Sequence, residues 1–296
     1  MPEFVAVTKP PGVPGVAVVT ISRPLKGNSF TLEMWWALRS VMETLRDDNN
    51  VRCILLNASG PNFCTGMDVT VFSAIVGGED SCRDLGLGED DRDQQDGSDL
   101  RTCPGRKRLM LHDMILDLQA AVSSLERCRK PVVVAIQGAC IGAGVDLCTA
   151  ADIRICSRDA FFCVKEVDLA IPADMGSAQR LPRLIPPGIA NELLFTGISV
   201  SADRALQLGL VSKVCAEGDA LTTQALHICS SIASKSPLAV RGIKETLLHA
   251  RDHASVPDNL RQIASWNAGM LLSEDLGKAT NAVLSKRKGP PLFSKL

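Results

Sequence analysis

Residues 131–147 of the chain read PVVVAIQGACIGAGVDL, and this stretch decides the fold. The run from Pro131 to Ile136 is apolar and rich in valine, which predicts a strand. Glycines at positions 138, 142 and 144 predict a tight turn, and a helix is predicted from about Val145 to Ala151. A further short strand is predicted from Ile153 to Cys156. Strands and helices that alternate in this way indicate an α/β fold.

The segments that precede this stretch continue the alternation. Buried strands are predicted from Val16 to Ile21 and from Val51 to Leu56, because both runs are apolar and rich in β-branched residues. Asn28 or Ser29 is expected to cap the helix between them, which places apolar residues on one face, namely Leu38, Val41, Met42 and Leu45. A second helix is predicted from about Lys107 to Leu125.

The organisation changes along the chain. Residues 77–98 are rich in Asp, Glu and Gly and are interpreted as an acidic loop or insertion. Beyond Leu181 the chain is predicted to be helical to near Lys288, with breaks at 186–187, 199–202 and 237. We therefore expect an α/β core over residues 1–214 and a helical C-terminal segment over residues 215–296.

The composition excludes several classes of function. The formal net charge of the 296 residues is −1, so no overall basic field attracts nucleic acid or a membrane surface. The 11 cysteines contain no Cys-x-x-Cys pair, which argues against a disulfide framework or a zinc site. His249 and His253 are four residues apart, but a surface position is favoured over metal binding. No apolar run approaches the roughly 20 residues that a membrane span needs.

The ends of the sequence carry targeting information. The first 15 residues have the features neither of a signal peptide nor of an arginine-rich transit helix. Ser294-Lys295-Leu296 matches the peroxisomal targeting tripeptide, which predicts recognition by an import receptor and entry into the peroxisome or a similar organelle such as the glycosome. The alternative interpretation is a polar tail without this role.

Three acidic residues, Asp146, Glu166 and Asp174, have small or apolar neighbours in the sequence. When carboxylates share an apolar pocket, the pKa of at least one of them rises. A carboxyl group with a raised pKa can take and return a proton near neutral pH. We therefore predict that these residues are catalytic. The alternatives are a helix cap for Asp146, an ion pair with Lys165 for Glu166 and a turn position for Asp174.

The glycine turn has two interpretations. A strand, glycines and a helix are typical of a dinucleotide site in an oxidoreductase, but the spacing is not Gly-x-Gly-x-x-Gly. Backbone N–H groups at such a turn can instead hold a developing oxyanion. The turn from Phe63 to Asp68, which also follows a predicted strand, is expected to supply the second N–H.

These motifs together resemble the enoyl-CoA hydratase/isomerase (crotonase) superfamily. The matching segments are Phe63–Asp68, Pro131–Leu147, Asp152–Arg154 and Gln179–Pro182. The resemblance implies an α/β spiral of ββα units, C-terminal helices that form a trimer or hexamer, and an acyl-CoA thioester substrate. It implies no metal and no cofactor beyond the CoA of the substrate. The oxyanion donors become the N–H groups of Met67 and Ala143, although the family usually has glycine at the latter.

Residue by residue, the resemblance also assigns the other contacts. Positions expected to bind substrate or CoA are Gly66, Asp68, Val69, Thr70 and Gly144. The environments of Asp146, Glu166 and Asp174 most resemble those of the family's dienoyl-CoA isomerases, since hydratases carry Glu at the first two positions and usually Gly at the third. Pro172 departs from the pattern.

The reaction implied converts a 3,5-dienoyl-CoA to a 2,4-dienoyl-CoA. Glu166 is expected to exchange the C2 proton, Asp174 to deliver one at C6, and Asp146 to assist; the reverse roles of Glu166 and Asp174 stay open. The alternatives are hydration of a 2-enoyl-CoA or a Δ3,Δ2-enoyl shift. A non-catalytic relative that binds CoA or RNA is the alternative of another class.

Overall fold

The computed structural model describes residues 4–76 and 103–295. The predicted acidic loop at 77–98 lies outside the described residues. Two sheets form the core of the structure. The larger has six strands in the order β1-β2-β3-β4-β6-β9, and the smaller has three in the order β5-β7-β8.

The larger sheet is parallel except at one edge. Its strands are β1 (Val5–Thr8), β2 (Val16–Ile21), β3 (Cys53–Ala58), β4 (Val132–Ile136), β6 (Ile153–Ser157) and β9 (Lys213–Cys215). Within this larger sheet, only the pair β1 and β2 is antiparallel. The smaller sheet joins β5 (Ala139–Ile141) in parallel to β7 (Phe161–Cys163), and β8 (Val200–Ser201) runs antiparallel to β7.

Eleven helices lie within the described residues. They are α1 (Leu32–Asp47), α2 (Val69–Val76), α3 (Pro104–Arg127), α4 (Ala143–Ala150), α5 (Ser177–Leu184), α6 (Pro187–Thr196), α7 (Ala202–Leu208), α8 (Asp219–Ala233), α9 (Pro237–Asp252), α10 (Val256–Met270) and α11 (Glu274–Leu284). Short 3-10 turns occupy Pro24–Lys26 and Glu166–Leu169. None of the helices in this part of the chain is both long and apolar enough to cross a membrane.

The larger sheet is buried on both faces because its strands alternate between two hydrophobic clusters. On β2, Ala17, Val19 and Ile21 pack in the main core with α1 and α3. Val16 and Val18 point the other way and pack with Leu221 and Cys229 of α8. This period of two explains why the strands read as continuous apolar runs. Because α8 covers the sheet, the packed core extends past residue 214.

The start of α1 differs from the prediction. The N-cap is Thr31, whose Oγ1 accepts a hydrogen bond from the backbone N–H of Met34 at 3.4 Å. Asn28 is instead fully buried in a left-handed conformation, with φ of 57°. Its side-chain amide donates to the carbonyl oxygens of Ser59 and Asn62 at 2.8 and 2.7 Å. Asn28 therefore ties two loops together and does not cap the helix.

Short strands account for the other differences. Strand β9 lies in a region predicted to be helical, and β5 lies inside the predicted glycine turn. Each has three residues, which is too short for a periodic pattern to show. Both form because a neighbouring strand offers unpaired backbone groups at its edge.

Candidate active site

Two turns that are distant in sequence are joined by backbone hydrogen bonds. The N–H of Phe63 donates to the carbonyl oxygen of Gln137 at 2.8 Å, and the N–H of Ile141 donates to that of Cys64 at 2.8 Å. Gly144 packs directly against the first turn, because a Cβ at this position would lie 2.9 Å from the carbonyl oxygen of Cys64. The turns 63–68 and 138–144 therefore form one rigid unit.

The predicted oxyanion donors lie on this unit. Ala143 is the first residue of α4, so its N–H has no acceptor within the helix. Among the residues that the structure describes, the N–H groups of Met67 and Ala143 donate to no protein acceptor. Ala143 is buried and belongs to the main core, so we expect its methyl group to leave the approach to the N–H open.

Asp146 lies on the first turn of α4 and is 1% exposed. Its Oδ1 accepts two hydrogen bonds from Ser177, from the backbone N–H at 2.7 Å and from the hydroxyl at 2.5 Å. Burial raises the pKa of Asp146 to about 7, and the nearby charge of Glu166 acts in the same direction. A group with this pKa changes its protonation state near neutral pH.

Glu166 begins the 3-10 turn after β7 and reaches back to the glycine turn. Its Oε1 lies 3.0 Å from the position that a Cβ on Gly142 would take. Its Oε2 is buried and has no hydrogen-bond partner within the described part of the chain. Burial raises the pKa of Glu166, and the charge of Asp174 raises it further. The alternative of an ion pair with Lys165 is wrong, since Lys165 pairs with Asp168.

Asp174 is half-buried in the loop before α5. Its carbonyl oxygen accepts a hydrogen bond from Nε2 of Gln119 at 2.7 Å, which fixes the loop to α3. Asp174 lines a cavity of about 350 Å³, together with Ser123, Glu126 and Arg180. Burial raises the pKa of the Asp174 carboxyl group. The charges of these acids act along a series, since Glu166 raises the pKa of Asp146 and Asp174 raises that of Glu166.

The residues after the first turn have different surroundings. Asp68 is buried and forms an ion pair with Arg23, while the N–H and hydroxyl of Thr70 donate to its Oδ1 at 2.9 and 2.8 Å. Burial acts to raise the pKa of Asp68, but these donors outweigh it and hold the pKa well below its usual range. Val69 is exposed at the surface. The predicted contacts with substrate or CoA stay predictions for all five positions, namely Gly66, Asp68, Val69, Thr70 and Gly144.

Three side chains beside the acids did not stand out in the sequence. They are Ser177, which binds Asp146; Gln119, which holds the Asp174 loop; and Arg180, which forms hydrogen bonds to Glu126 and Ser123. Polar residues of these types are common, and nothing in their local sequence distinguishes them. Arg180 does lie in the segment Gln179–Pro182 that carries part of the family resemblance.

The polar groups of the site are carboxyl groups and backbone N–H groups. Across residues 4–76 and 103–295, no three His, Cys, Asp or Glu side chains are arranged to hold a metal ion. Carboxyl groups of this kind can take and return protons, and the N–H groups can stabilise an oxyanion beside them.

Comparison with known proteins gives the family. The sequence profile described as enoyl-CoA hydratase/isomerase matches residues 13–83 and 96–289. The chain belongs to this family. Membership confirms the resemblance drawn from the sequence motifs.

Several members of the family are similar over nearly the whole chain. A protein of Arabidopsis thaliana named peroxisomal Delta(3,5)-Delta(2,4)-dienoyl-CoA isomerase is 41% identical over 276 residues, covering 93% of this chain and 91% of the relative. The human protein named mitochondrial Delta(3,5)-Delta(2,4)-dienoyl-CoA isomerase is 38% identical over 280 residues, covering 94% and 79%.

Solved structures confirm the fold class. The crystal structure of an enoyl-CoA hydratase from Bacillus anthracis has a TM-score of 0.81 to this chain at 26% identity, covering 99% of both chains. That of a putative enoyl-CoA hydratase from Streptomyces coelicolor has a TM-score of 0.80 at 27% identity, covering 99% and 96%.

Proposed function

We propose that this protein is a Δ3,5-Δ2,4-dienoyl-CoA isomerase of fatty-acid β-oxidation. The observation that carries the proposal is the Glu166 carboxylate beside Gly142, next to the N–H of Ala143, with Asp146 and Asp174 near enough for their charges to be felt. The N–H groups of Met67 and Ala143 have no protein acceptor within the described residues. The relatives named dienoyl-CoA isomerase support the same reaction. CoA is part of the substrate, and we propose no further cofactor.

The N–H groups of Met67 and Ala143 donate hydrogen bonds to the carbonyl oxygen of the substrate thioester. Two donors that point at this oxygen stabilise the negative charge that develops when C2 loses a proton. Glu166 is the base at C2, because its carboxylate lies beside Gly142, the residue before Ala143. The electron pair of the C2–H bond then spreads over the conjugated system to C6.

Protonation at C6 completes the isomerisation. Asp174 donates this proton, since burial favours its protonated form. The double bonds move from the 3,5 to the 2,4 positions, and no water is added. Glu166 is left protonated and Asp174 ionised, so a proton passes from Glu166 to Asp174, directly or through solvent, before the next turnover.

The test is to offer the purified protein a 3,5-dienoyl-CoA and, separately, a 2-enoyl-CoA. We expect the absorbance of the conjugated 2,4-dienoyl product to appear, and Asp174→Asn to lower kcat by about 10²- to 10⁴-fold. Asp168→Asn is the matched control, because Asp168 is exposed and pairs with Lys165. Hydration of the enoyl substrate without diene formation would identify a hydratase, and binding without turnover a non-catalytic relative.

Deuterium exchange separates the two proton-transfer roles. In D2O, Asp174→Asn is expected to keep the exchange of the C2 hydrogen while its product forms about 10²- to 10⁴-fold more slowly. Glu166→Gln is expected to lose both the exchange of the C2 hydrogen and the formation of product. The opposite pattern would assign Asp174 to C2 and Glu166 to C6.

We also propose that the protein is imported into peroxisomes through Ser294-Lys295-Leu296. The Arabidopsis relative is named peroxisomal and the human relative mitochondrial, so the relatives alone do not choose the organelle. A fluorescent protein fused in front of the chain is expected to enter peroxisomes, and removal of the three residues is expected to leave it in the cytosol. Mitochondrial signal from the full chain would contradict this.

Self-association into a trimer or hexamer is the last part of the proposal. The C-terminal helices and the turn after α10 expose large apolar side chains that a partner subunit could cover, namely Ile243, Leu247, Leu260, Leu271 and Leu272. Light scattering coupled to size-exclusion chromatography is expected to give three or six times the mass of 31.6 kDa. A monomer at micromolar concentration would refute it.

A further inference from the structure

Ser177 makes an unusually complete contact with one of the three acids. It is the first residue of α5, it is 0% exposed, and both of its donors reach the same oxygen, Oδ1 of Asp146. The two residues are 31 positions apart, on α4 and α5. The carboxylate of Asp146 thus takes the place of a side-chain cap for α5, which has none of its own.

The position of Ser177 is itself fixed by its neighbours. Gly176 has a φ of 128°, and a Cβ there would lie 1.8 Å from Nη1 of Arg180, so the guanidinium group covers this glycine. Arg180 is held in turn by Glu126 at 3.2 and 3.3 Å and by Ser123 at 3.0 Å. Ser177 therefore has little freedom to move away from Asp146.

The second oxygen of Asp146 is free for another task. Within the described residues, Oδ2 accepts no hydrogen bond. The titratable and charged groups that face Asp146 are Glu166 from the 3-10 turn, Arg180 from α5 and Cys64 from the first turn. Arg180 favours the charged form of Asp146, whereas burial and Glu166 oppose it.

We propose that Ser177 is a positioning residue that holds Asp146 ionised, with its charge beside Glu166. The inference rests on the proposed function. A negative charge next to Glu166 makes Glu166 a stronger base for the C2 proton, because like charges favour proton uptake. Both donors of Ser177 favour the charged form of Asp146 and offset the effect of burial.

The alternative is that the contact only fastens α4 to α5. The two roles differ in their dependence on pH. If Ser177 maintains the charge of Asp146, its removal matters at neutral pH and is rescued at alkaline pH, where Asp146 ionises without help. If Ser177 only fastens the helices, its removal costs the same activity at every pH.

The experiment compares kcat between pH 6 and 9.5 for the wild type and Ser177→Ala. In the wild type, kcat is expected to rise as pH passes through about 7, the pKa of Asp146. In Ser177→Ala this rise is expected one to two pH units higher, which lowers kcat at pH 7 about 5- to 50-fold and leaves it within about threefold of the wild type at pH 9.5. A loss that does not change with pH overturns the proposal.

Ser157→Ala is the matched control. Ser157 is equally buried, and its hydroxyl also donates to an aspartate, Asp159, away from the acids of the site. Its removal is expected to leave the pH profile in place. A shift as large as that of Ser177→Ala would mean that loss of any buried serine has this effect, and would overturn the proposal.

If Ser177→Ala does not fold, the same substitution is tested in the Asp146→Asn background. Without a charge at position 146, Ser177 has nothing to maintain, so Asp146→Asn/Ser177→Ala is expected to fold and to retain kcat within about threefold of Asp146→Asn. A further tenfold loss in the double variant would show that Ser177 acts independently of Asp146, contrary to the proposal.

Infrared difference spectroscopy makes the test independent of turnover. Subtraction of the Asp146→Asn spectrum isolates the carboxyl band of Asp146. At pH 8 this band is expected to show Asp146 at least half protonated in Ser177→Ala and mostly ionised in the wild type. If the wild type forms no diene, the proposed function fails, and this band still tests Ser177. An ionised Asp146 in both proteins would refute the role of Ser177.

Discussion

Asp146 and Asp68 are both nearly inaccessible to solvent, and their carboxyl groups shift in opposite directions. Asp146 has one serine as its donor and a second carboxylate nearby, so burial dominates and its pKa rises to about 7. Asp68 has an arginine partner and two donors from Thr70, which outweigh burial and lower its pKa. The partners, and not burial alone, decide which aspartate can exchange protons near neutral pH.

Asp146→Asn is expected to change how stability depends on pH. Because its folded-state pKa lies above the usual 3.8, the stabilising effect of Asp146 is complete below pH 4 and is lost as pH rises through 7. The asparagine variant has no carboxyl group at this position and so does not lose this stability. As pH rises from 4 to 8, its free energy of unfolding is expected to increase relative to that of the wild type by on the order of 4 kcal/mol. Urea unfolding at pH 4.5 and 8 at one protein concentration measures the difference, and an unchanged difference would contradict the raised pKa.

Asp68→Asn is expected to show the opposite dependence. The lowered pKa of Asp68 contributes stability above pH 4 that disappears as pH falls through the folded-state pKa. At pH 7 the variant is expected to lose about 3 kcal/mol, because Arg23 is left without its partner. The same unfolding series checks this, and the loss should shrink below pH 4. A deficit as large at pH 3 as at pH 7 would exclude the ion pair as its cause.

At the scale of elements, the site depends on how closely two turns approach each other. The first turn of α4 packs against turn 63–68, and glycine at position 144 permits this contact because it has no side chain. The distance between the N–H groups of Met67 and Ala143 follows from it. A small displacement of α4 would separate the two proposed oxyanion donors while leaving the sheet intact.

Gly144→Ala is the variant that tests this contact. Its Cβ would lie 2.9 Å from the carbonyl oxygen and 3.1 Å from the Cβ of Cys64, so α4 must move away. We expect kcat to fall about 10²- to 10³-fold, as on loss of one oxyanion donor. Gly188→Ala in α6 is the matched control, since an added Cβ there has no neighbour within 4 Å. Equal activity in both variants would show that the approach of the turns is not limiting.

At the scale of the whole molecule, a buried lysine joins the C-terminal helices to the core. Lys244 on α9 is 5% exposed, and its ammonium group contacts Asp152 at 2.8 Å and the carbonyl oxygens of Leu125 and Lys130 at 3.2 and 3.1 Å. These acceptors lie at the end of α3 and in the loops before β4 and β6. One side chain therefore fixes α9 to three parts of the α/β core.

Lys244→Met is expected to destabilise the whole fold. It keeps the length of the side chain but removes the cation that pairs with Asp152, which keeps only the N–H of Val132, and leaves the two carbonyl groups without this donor, at a cost of about 3 kcal/mol. Lys213→Met on β9, where the lysine is exposed, is the control. Urea unfolding at fixed protein concentration is the measurement, and equal stability of the two variants would show that Lys244 does not support the fold.

The sequence by itself determined the local and the inherited features of this protein. The bounds predicted for β2 match the structure, because a short apolar run rich in β-branched residues favours a strand that is buried on both faces. The fold class followed from the family motifs. The identities of Asp146, Glu166 and Asp174 were visible because acids among apolar neighbours are unusual.

Only the tertiary structure decided what each acid touches. The contact of Ser177 with Asp146 spans 31 residues, and that of Gln119 with the Asp174 loop spans 55. Lys165 takes Asp168 as its partner rather than Glu166, which leaves Glu166 free to turn inward. A pKa depends on burial and on charges brought close by folding, so residues that are ordinary in the sequence set the chemistry of the site.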